Sequence, residues 1–415
     1  MKVQAKSNSL SSREIWFAKR GCELLSQQTM SGGEMKIFKL LPLVCALAAA
    51  GSPGFAQVKV GVTVSATGPQ ASLGVPEVNA IGLLPKEIGG QKVEYTILDD
   101  KSDTTQVVAN TRKLIAENVD VIIGSSTTPN TLAMIGPVAE GQTPVISLGS
   151  SARLISPMDD QKRWIFKTPH SDSHMASAIA DHASKNGVKK IAFIGFNNAL
   201  GDAFSDEITR YAGQKNIQVV ANERFAPQDT SVLGQVLKLL ATSPDAVVIG
   251  ASGTPAALPA IALAQRNYTG KIYFNHGVSN NDFVRVCGKN CDNAYVPTGP
   301  VMVADQLPDS NPVKKNALAF VKEYEGKFGA GSVSIFAAYS ADTGLILEQA
   351  IPVAVKKAKP GTIEFRQALR DAIESVHGLA TTTGIVNMSP QDHVGLGFDA
   401  PVMAQIVNSK WQLAK

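Results

Sequence analysis

The stretch "HSDSH" sets His170, Asp172 and His174 within five residues, imidazole and carboxylate groups close enough in sequence to suggest a metal site. The flanking residues favour a different reading, a hinge loop entering a helix with Asp172 or Ser173 as its cap. "CGKNC" pairs Cys287 with Cys291. In an oxidising compartment such a pair most simply closes a disulfide, and no histidine flanks it to complete a zinc site. "GASGT" from Gly250 lacks the last glycine of a nucleophile elbow, and "GLGFDA" from Gly395 follows no strand and opens no helix. Neither H-E-x-x-H nor a Walker A sequence occurs. A hydrolase of exported α/β type is therefore left without a nucleophile, and neither a cofactor nor a metal is expected.

Such groups act only where the elements hold them, and the chain first says where it goes. "MKIFKLLPLVCALAAAGSPGFAQ" begins at Met35: Lys36 and Lys39, an apolar run from Leu40 to Ala50, then Gly51, Pro53 and the small-x-small triplet ending at Ala56. This is the three-part layout of a secretory signal, and its run is well short of the roughly 20 residues that span a bilayer. Cleavage after Ala56 is expected, with residues 35–56 as the signal, residues 1–34 as a non-native N-terminal extension and the periplasm as destination. Residues 1–56 hold seven basic and three acidic side chains, so the +4 of the full chain falls to near zero in residues 57–415. Nothing in that balance calls for nucleic acid or an anionic surface.

About 360 residues remain, more than one core usually organises, so two lobes are expected. Strand-like runs at 58–65, 92–100, 119–126 and 143–151 alternate with helical spacing, and a second cycle has strands at 189–196, 217–225, 245–252 and 271–277. Strict alternation means parallel βαβ units. Helices near 312–328, 334–357 and 362–376 have no strands of their own and are expected to return to the first lobe. The predicted division is 57–172 with 303–384 for lobe 1, and 173–302 with 385–415 for lobe 2.

The opening strand followed by "ATGPQASLG", then "ILDDKSDTTQ", "IGSSTTPNTLA", "PVISLGSSA", "FKTPHSDSHMA" and a late "SPQDHVGLGF", resembles the branched-chain amino-acid-binding protein family. These are Leu/Ile/Val-binding-like periplasmic receptors of ABC importers, with the type I binding-protein fold. The resemblance covers essentially all of 57–415. It implies two Rossmann-like lobes joined by a three-strand hinge and a small carboxylate-bearing ligand in the cleft. It also implies an inner-membrane permease with its ATPase as separate partner chains.

By the resemblance, the ligand carboxylate is held by Thr128, Gly149 and Ser151, with Ser126 and Thr127 as alternatives, and Asp172 takes the acidic hinge position. Small residues and hydroxyls before helix N-termini suit an anion, although they also cap helices without one. Amino-acid binders of the family use a second-lobe carboxylate for the ligand's ammonium, where this chain has His276. Their aromatic positions read Leu73, Leu200 and Gly253 here. An unpaired ammonium in a closed cleft is costly. The expected ligand is therefore an aromatic or other organic acid, with His276 bonding a hydroxyl or carbonyl at its far end. Phe336 in "SIFAAYSAD" is a candidate to stack on a ring, with ordinary helix packing the favoured reading. A ligand-sensing receptor domain shares the fold, but would call for a membrane or DNA-binding segment.

Overall fold

The computed structural model describes residues 57–414; the expected extension and signal segment lie outside the described residues. "VKVGVTV", apart from Lys59, and "VIIG" beside it are buried on both faces, as continuous β-branched runs are when helices cover a parallel sheet. In chain order come β1 (Val58–Val64), α1 (Ala71–Ile81), β2 (Glu87–Ile88), β3 (Gln91–Asp99) and α2 (Thr104–Ala116). Then follow β4 (Val121–Gly124), α3 (Thr128–Glu140), β5 (Val145–Ser147) and β6 (Ile165–Lys167). They form a sheet ordered β2-β3-β1-β4-β5-β6, parallel except at β2.

The second lobe repeats this plan with α4 (Asp172–Lys185), β7 (Lys190–Phe196), α5 (Ala199–Gln214), β8 (Gln218–Phe225), α6 (Leu233–Ala241) and β9 (Ala246–Gly250). It continues with α7 (Ala257–Gln265), β10 (Lys271–Phe274), α8 (Asn281–Cys287) and β11 (Tyr295–Thr298). Next come α9 (Lys314–Phe328), α10 (Ile335–Ala354), α11 (Ile363–Glu374), β12 (Leu379–Ala380), β13 (Ile385–Val386), β14 (Val402–Val407) and β15 (Lys410–Leu413). The second sheet is ordered β15-β14-β11-β10-β9-β7-β8, and β14 and β15 run antiparallel at its edge. The chain thus passes between lobes three times, after β6, after β11 and before β14.

Helices α9 to α11 do join the first lobe: Phe320, Tyr339, Leu347, Phe365 and Leu369 share a core with Val60 and Val62. The stretch 385–397 departs from expectation. Val386, Met388, Val394 and Leu396 bury themselves in the first-lobe core, and only β14 and β15 extend the second sheet. Strands β6 and β11, three and four residues long, read in sequence as boundary and turn, because runs that short show no period.

Cys287 and Cys291 are bonded, with Cα atoms 5.7 Å apart, at the end of α8. The closed loop is so short that the cross-link restricts the unfolded chain little. Replacing both cysteines by serine is expected to lower stability by about 2 kcal/mol or less. Urea unfolding of variant and parent checks this, and a much larger loss would assign the bond a role in packing.

Candidate functional site

Counted along the chain, the parallel strands of each lobe follow the order 2-1-3-4-5, β3-β1-β4-β5-β6 in one and β8-β7-β9-β10-β11 in the other. In such sheets the loops leaving the carboxyl ends of the first and third strands diverge to opposite faces, and the crevice between them takes ligands. Here those loops follow β1 and β4 in lobe 1, and β7 and β9 in lobe 2. They meet: Ser252 Oγ donates to Gln70 Oε1 at 2.6 Å across the interface.

On the first-lobe side, Thr127 is the N-cap of α3, its Oγ1 accepting the Asn130 N–H. Thr128 Oγ1 accepts the Ser151 N–H at 3.3 Å, and Gly149 N–H donates to Ser147 Oγ at 3.0 Å. Ser151 Oγ accepts the Arg153 N–H, and Asp172 Oδ1 accepts the Ala152 N–H at 2.7 Å. So the loops after β4 and β5 and the start of α4 are tied together, and Thr128, Gly149, Ser151 and Asp172 share one corner. Ser126 does not join them. Its hydroxyl accepts the Ser65 N–H at 2.9 Å and donates to Glu77, a carboxyl that burial holds well above the usual range. It serves the layer beneath the cleft. The cap of α4 is Ser171 rather than Asp172 or Ser173, because the Asp172 carboxylate turns back to the Ala152 amide and His174 Nδ1 accepts the Ser171 N–H.

His276 is buried, its ring edge-on to Tyr339 with centroids 5.8 Å apart and 6.4 Å from His170. The Tyr339 hydroxyl lies 3.3 Å from His170 Nδ1. Burial, with the Lys167 charge adding to it, pushes the His276 imidazole down to about 3, and burial takes His174 to about 4. His170 is likewise held well below its ordinary value by burial and its histidine neighbours. All three are neutral at pH 7. Lys167 donates to the Ser150 and Pro169 carbonyls, and burial lowers it to about 7. His170, His174 and Asp172 do not converge on a point; among the described residues no group of three His, Cys, Asp or Glu side chains is arranged to hold a metal ion.

Buried polar atoms in proteins are almost always bonded. Several around this junction are not: His276 Nδ1 and Ser279 Oγ on the second lobe, His170 Nε2 and Asp172 Oδ2 at the first crossing, and Ser340 Oγ on α10. Phe336 is buried in the first-lobe core beside Ile335 and Ala337, the packing role. Leu73 sits in the first-lobe core and Leu200 in the second, and Leu200 also lines a cavity of about 240 Å³ at the cleft mouth. Gly253 is not a widened wall, because a Cβ there would meet first-lobe atoms, Ser72 Oγ at 2.8 Å and Leu73 Cδ1 at 3.1 Å. Sequence reading passed over Tyr339, Gln70 and Ser252. Only Tyr339 carried a signal, standing three residues after Phe336 on the same helix.

The profile of a family described as periplasmic binding protein matches residues 57–406. An extracellular ligand-binding receptor from Rhodopseudomonas palustris HaA2, seen in a crystal structure, is 41% identical. That likeness covers 86% of this chain and 100% of the receptor, with a TM-score of 0.84. Leu/Ile/Val-binding protein homolog 1 of Brucella suis is 24% identical over 272 residues, 62% of this chain and 71% of the relative. A solute binding protein of an R. palustris ABC transporter, in complex with benzoate, is 20% identical over 86% of this chain and 95% of its own, with a TM-score of 0.73. At that identity it speaks for the fold alone.

Proposed function

The chain belongs to the periplasmic binding protein family, and on that premise we propose that it captures a small carboxylate-bearing solute between its lobes for delivery to an ABC permease. The family and fold are those of substrate-binding proteins of the branched-chain amino-acid type, exported and without catalytic chemistry. Location in the periplasm with cleavage after Ala56 is part of the proposal, as are the separate permease and ATPase chains. Closure is a population shift whose strength depends on what the solute touches on both lobes.

One observation carries the choice of solute. The unpartnered atoms at the junction include two neutral imidazoles, on His276 and His170, where an amino acid's ammonium would need an anion. A neutral imidazole bonds a hydroxyl or carbonyl well and an ammonium only through its lone pair. The N-terminus of α3, with Thr128, Gly149 and Ser151 beside it, suits the carboxylate end. The reading is therefore an aromatic or other organic acid. A second reading, an amino acid, rests on Asp172 Oδ2, a buried carboxylate oxygen without a partner.

A thermal-shift screen of the refolded, dialysed chain from Gln57, with calorimetry on the hits, separates them. Stabilisation by aromatic or keto acids is expected; stabilisation by leucine, isoleucine or valine alone would overturn the organic-acid reading in favour of Asp172. For the acid that binds, Thr128→Ala and Ser151→Ala are each expected to weaken affinity by about 1 to 3 kcal/mol, the cost of a stranded buried acceptor. Unchanged affinity in both would remove the carboxylate from this corner.

A further inference from the structure

We propose that Gln70 and Ser252 form a latch that draws the lobes shut by protein contacts alone, and that Gly253 is the glycine whose missing side chain lets the latch engage. This rests on the solute-capture reading and adds to it a device that sets how much of the protein is closed before any solute arrives. The two latch residues stand 182 positions apart, one on the loop before α1 and one on the loop after β9. Both are 94% buried or nearly so, each 6% exposed. Besides the 2.6 Å bond from Ser252 Oγ to Gln70 Oε1, Gln70 Nε2 points to the Ser252 carbonyl at 3.5 Å. A bond sheltered from water is stronger electrostatically than one in solvent. Of the other contacts between the lobes, Arg153 with Asp206 is exposed on both sides and adds little, while Asn281 Nδ2 donates to the Gly331 carbonyl and the Ile335 N–H to the Ser279 carbonyl at 3.0 Å, away from the latch.

Gly253 follows directly. Its φ of +65° lies in the left-handed region that side chains strain to adopt, and its N–H donates to the Gly277 carbonyl at 2.8 Å, which fixes the loop. The place a Cβ would occupy is 2.8 Å from Ser72 Oγ and 3.5 Å from Gln70 Oε1. A methyl group there stands between the lobes at the point where the latch forms. Since apparent affinity scales with the fraction of protein in the competent state, losing the latch weakens capture of any solute by the factor by which the closed fraction drops.

The test reads conformation without solute. Spin labels at Thr104→Cys and Gln228→Cys, exposed positions facing each other across the cleft-mouth cavity, report the inter-lobe distance in the dialysed mature protein. A closed population is expected in the parent. Ser252→Ala and Gln70→Ala are expected to lower the closed-to-open ratio about two- to tenfold, the range for a single net hydrogen bond. Gly253→Ala is expected to lower it further. Distance distributions unchanged in all three, or a parent found only open, would overturn the latch. Ser252→Ala removes one oxygen and introduces no strain, so the test survives if Gly253→Ala does not fold. A blank solute screen with an intact distance shift would overturn the solute reading and leave the latch standing.

Discussion

Between pH 7 and pH 4.5 the parent protein is expected to lose about 2 to 3 kcal/mol more stability than His276→Gln. The His276 imidazole is lowered by burial to about 3 in the folded protein, against about 6.5 in an unfolded chain. Across the interval between those values the unfolded chain binds a proton that the native state refuses. Stability from this residue is therefore complete above pH 6.5 and falls as the pH drops toward 3. Groups facing the cluster also titrate. His174 and His170 act in the same direction. Asp342, lifted by burial to about 6, and the raised Asp172 and Glu77 act in the opposite one, because their native carboxyls hold protons that the unfolded chain has released. Lys167, at about 7, is half protonated at the top of the window and completes its uptake within it, a small contribution in the same direction as the histidines because the unfolded lysine is already charged. The comparison of parent with variant isolates one imidazole from these opposed contributions. Urea unfolding at several pH values measures it, and parallel curves for the two proteins would mean that His276 is not held neutral by burial. In the proposed solute site the same neutrality would offer the ligand a hydrogen bond rather than a charge.

Asp100→Ala is expected to cost about 3 to 5 kcal/mol of stability and to weaken solute capture with it. Asp100 is fully buried beneath the first-lobe side of the cleft. Its Oδ1 accepts the Ser65 hydroxyl at 2.7 Å and the Ser102 N–H at 3.0 Å, and its Oδ2 accepts the Ser125 hydroxyl at 2.5 Å. These donors belong to the loops after β1, β3 and β4, so one carboxylate gathers the three loops that open at the carboxyl edge of the sheet. Alanine strands the buried Ser65 and Ser125 hydroxyls and frees the half-buried Ser102 N–H, and each buried stranded donor costs about 1 to 3 kcal/mol. Because the loop after β4 also carries Thr127 and Thr128, the corner assigned to the solute loosens with it. Urea unfolding and calorimetry with the screened acid read the two effects. Asp100→Asn, which keeps the shape and one acceptor, is expected to lose less; a loss under about 1 kcal/mol for alanine would show that the loops hold without it.

Much of this protein is legible without coordinates. Alternating β-branched runs and amphipathic stretches predict β1, β3, β4, β5 and β7 to β10 within a few residues but not the short β2 and β6, and the return of α9 to α11 follows from their having no strands beside them. The position of Thr127 at a helix start and the pairing of Cys287 with Cys291 follow from spacing a few residues long. Local patterns suffice there because turn chemistry, periodicity and short loops act over neighbours. What the tertiary structure decided lies elsewhere. Whether Ser126 or Thr128 meets Ser151 depends on which way consecutive side chains turn at the end of one strand. The burial of 385–397 in the first lobe depends on where a chain without a clear period finds apolar surface. The meeting of Gln70 with Ser252, and of His276 with Tyr339, brings together residues far apart in the chain, and Gly253 looked like a lost wall until the opposite lobe was seen to fill its space. Sequence determines the elements through interactions among near neighbours; the cleft is made of contacts between lobes, and only their packing decides those.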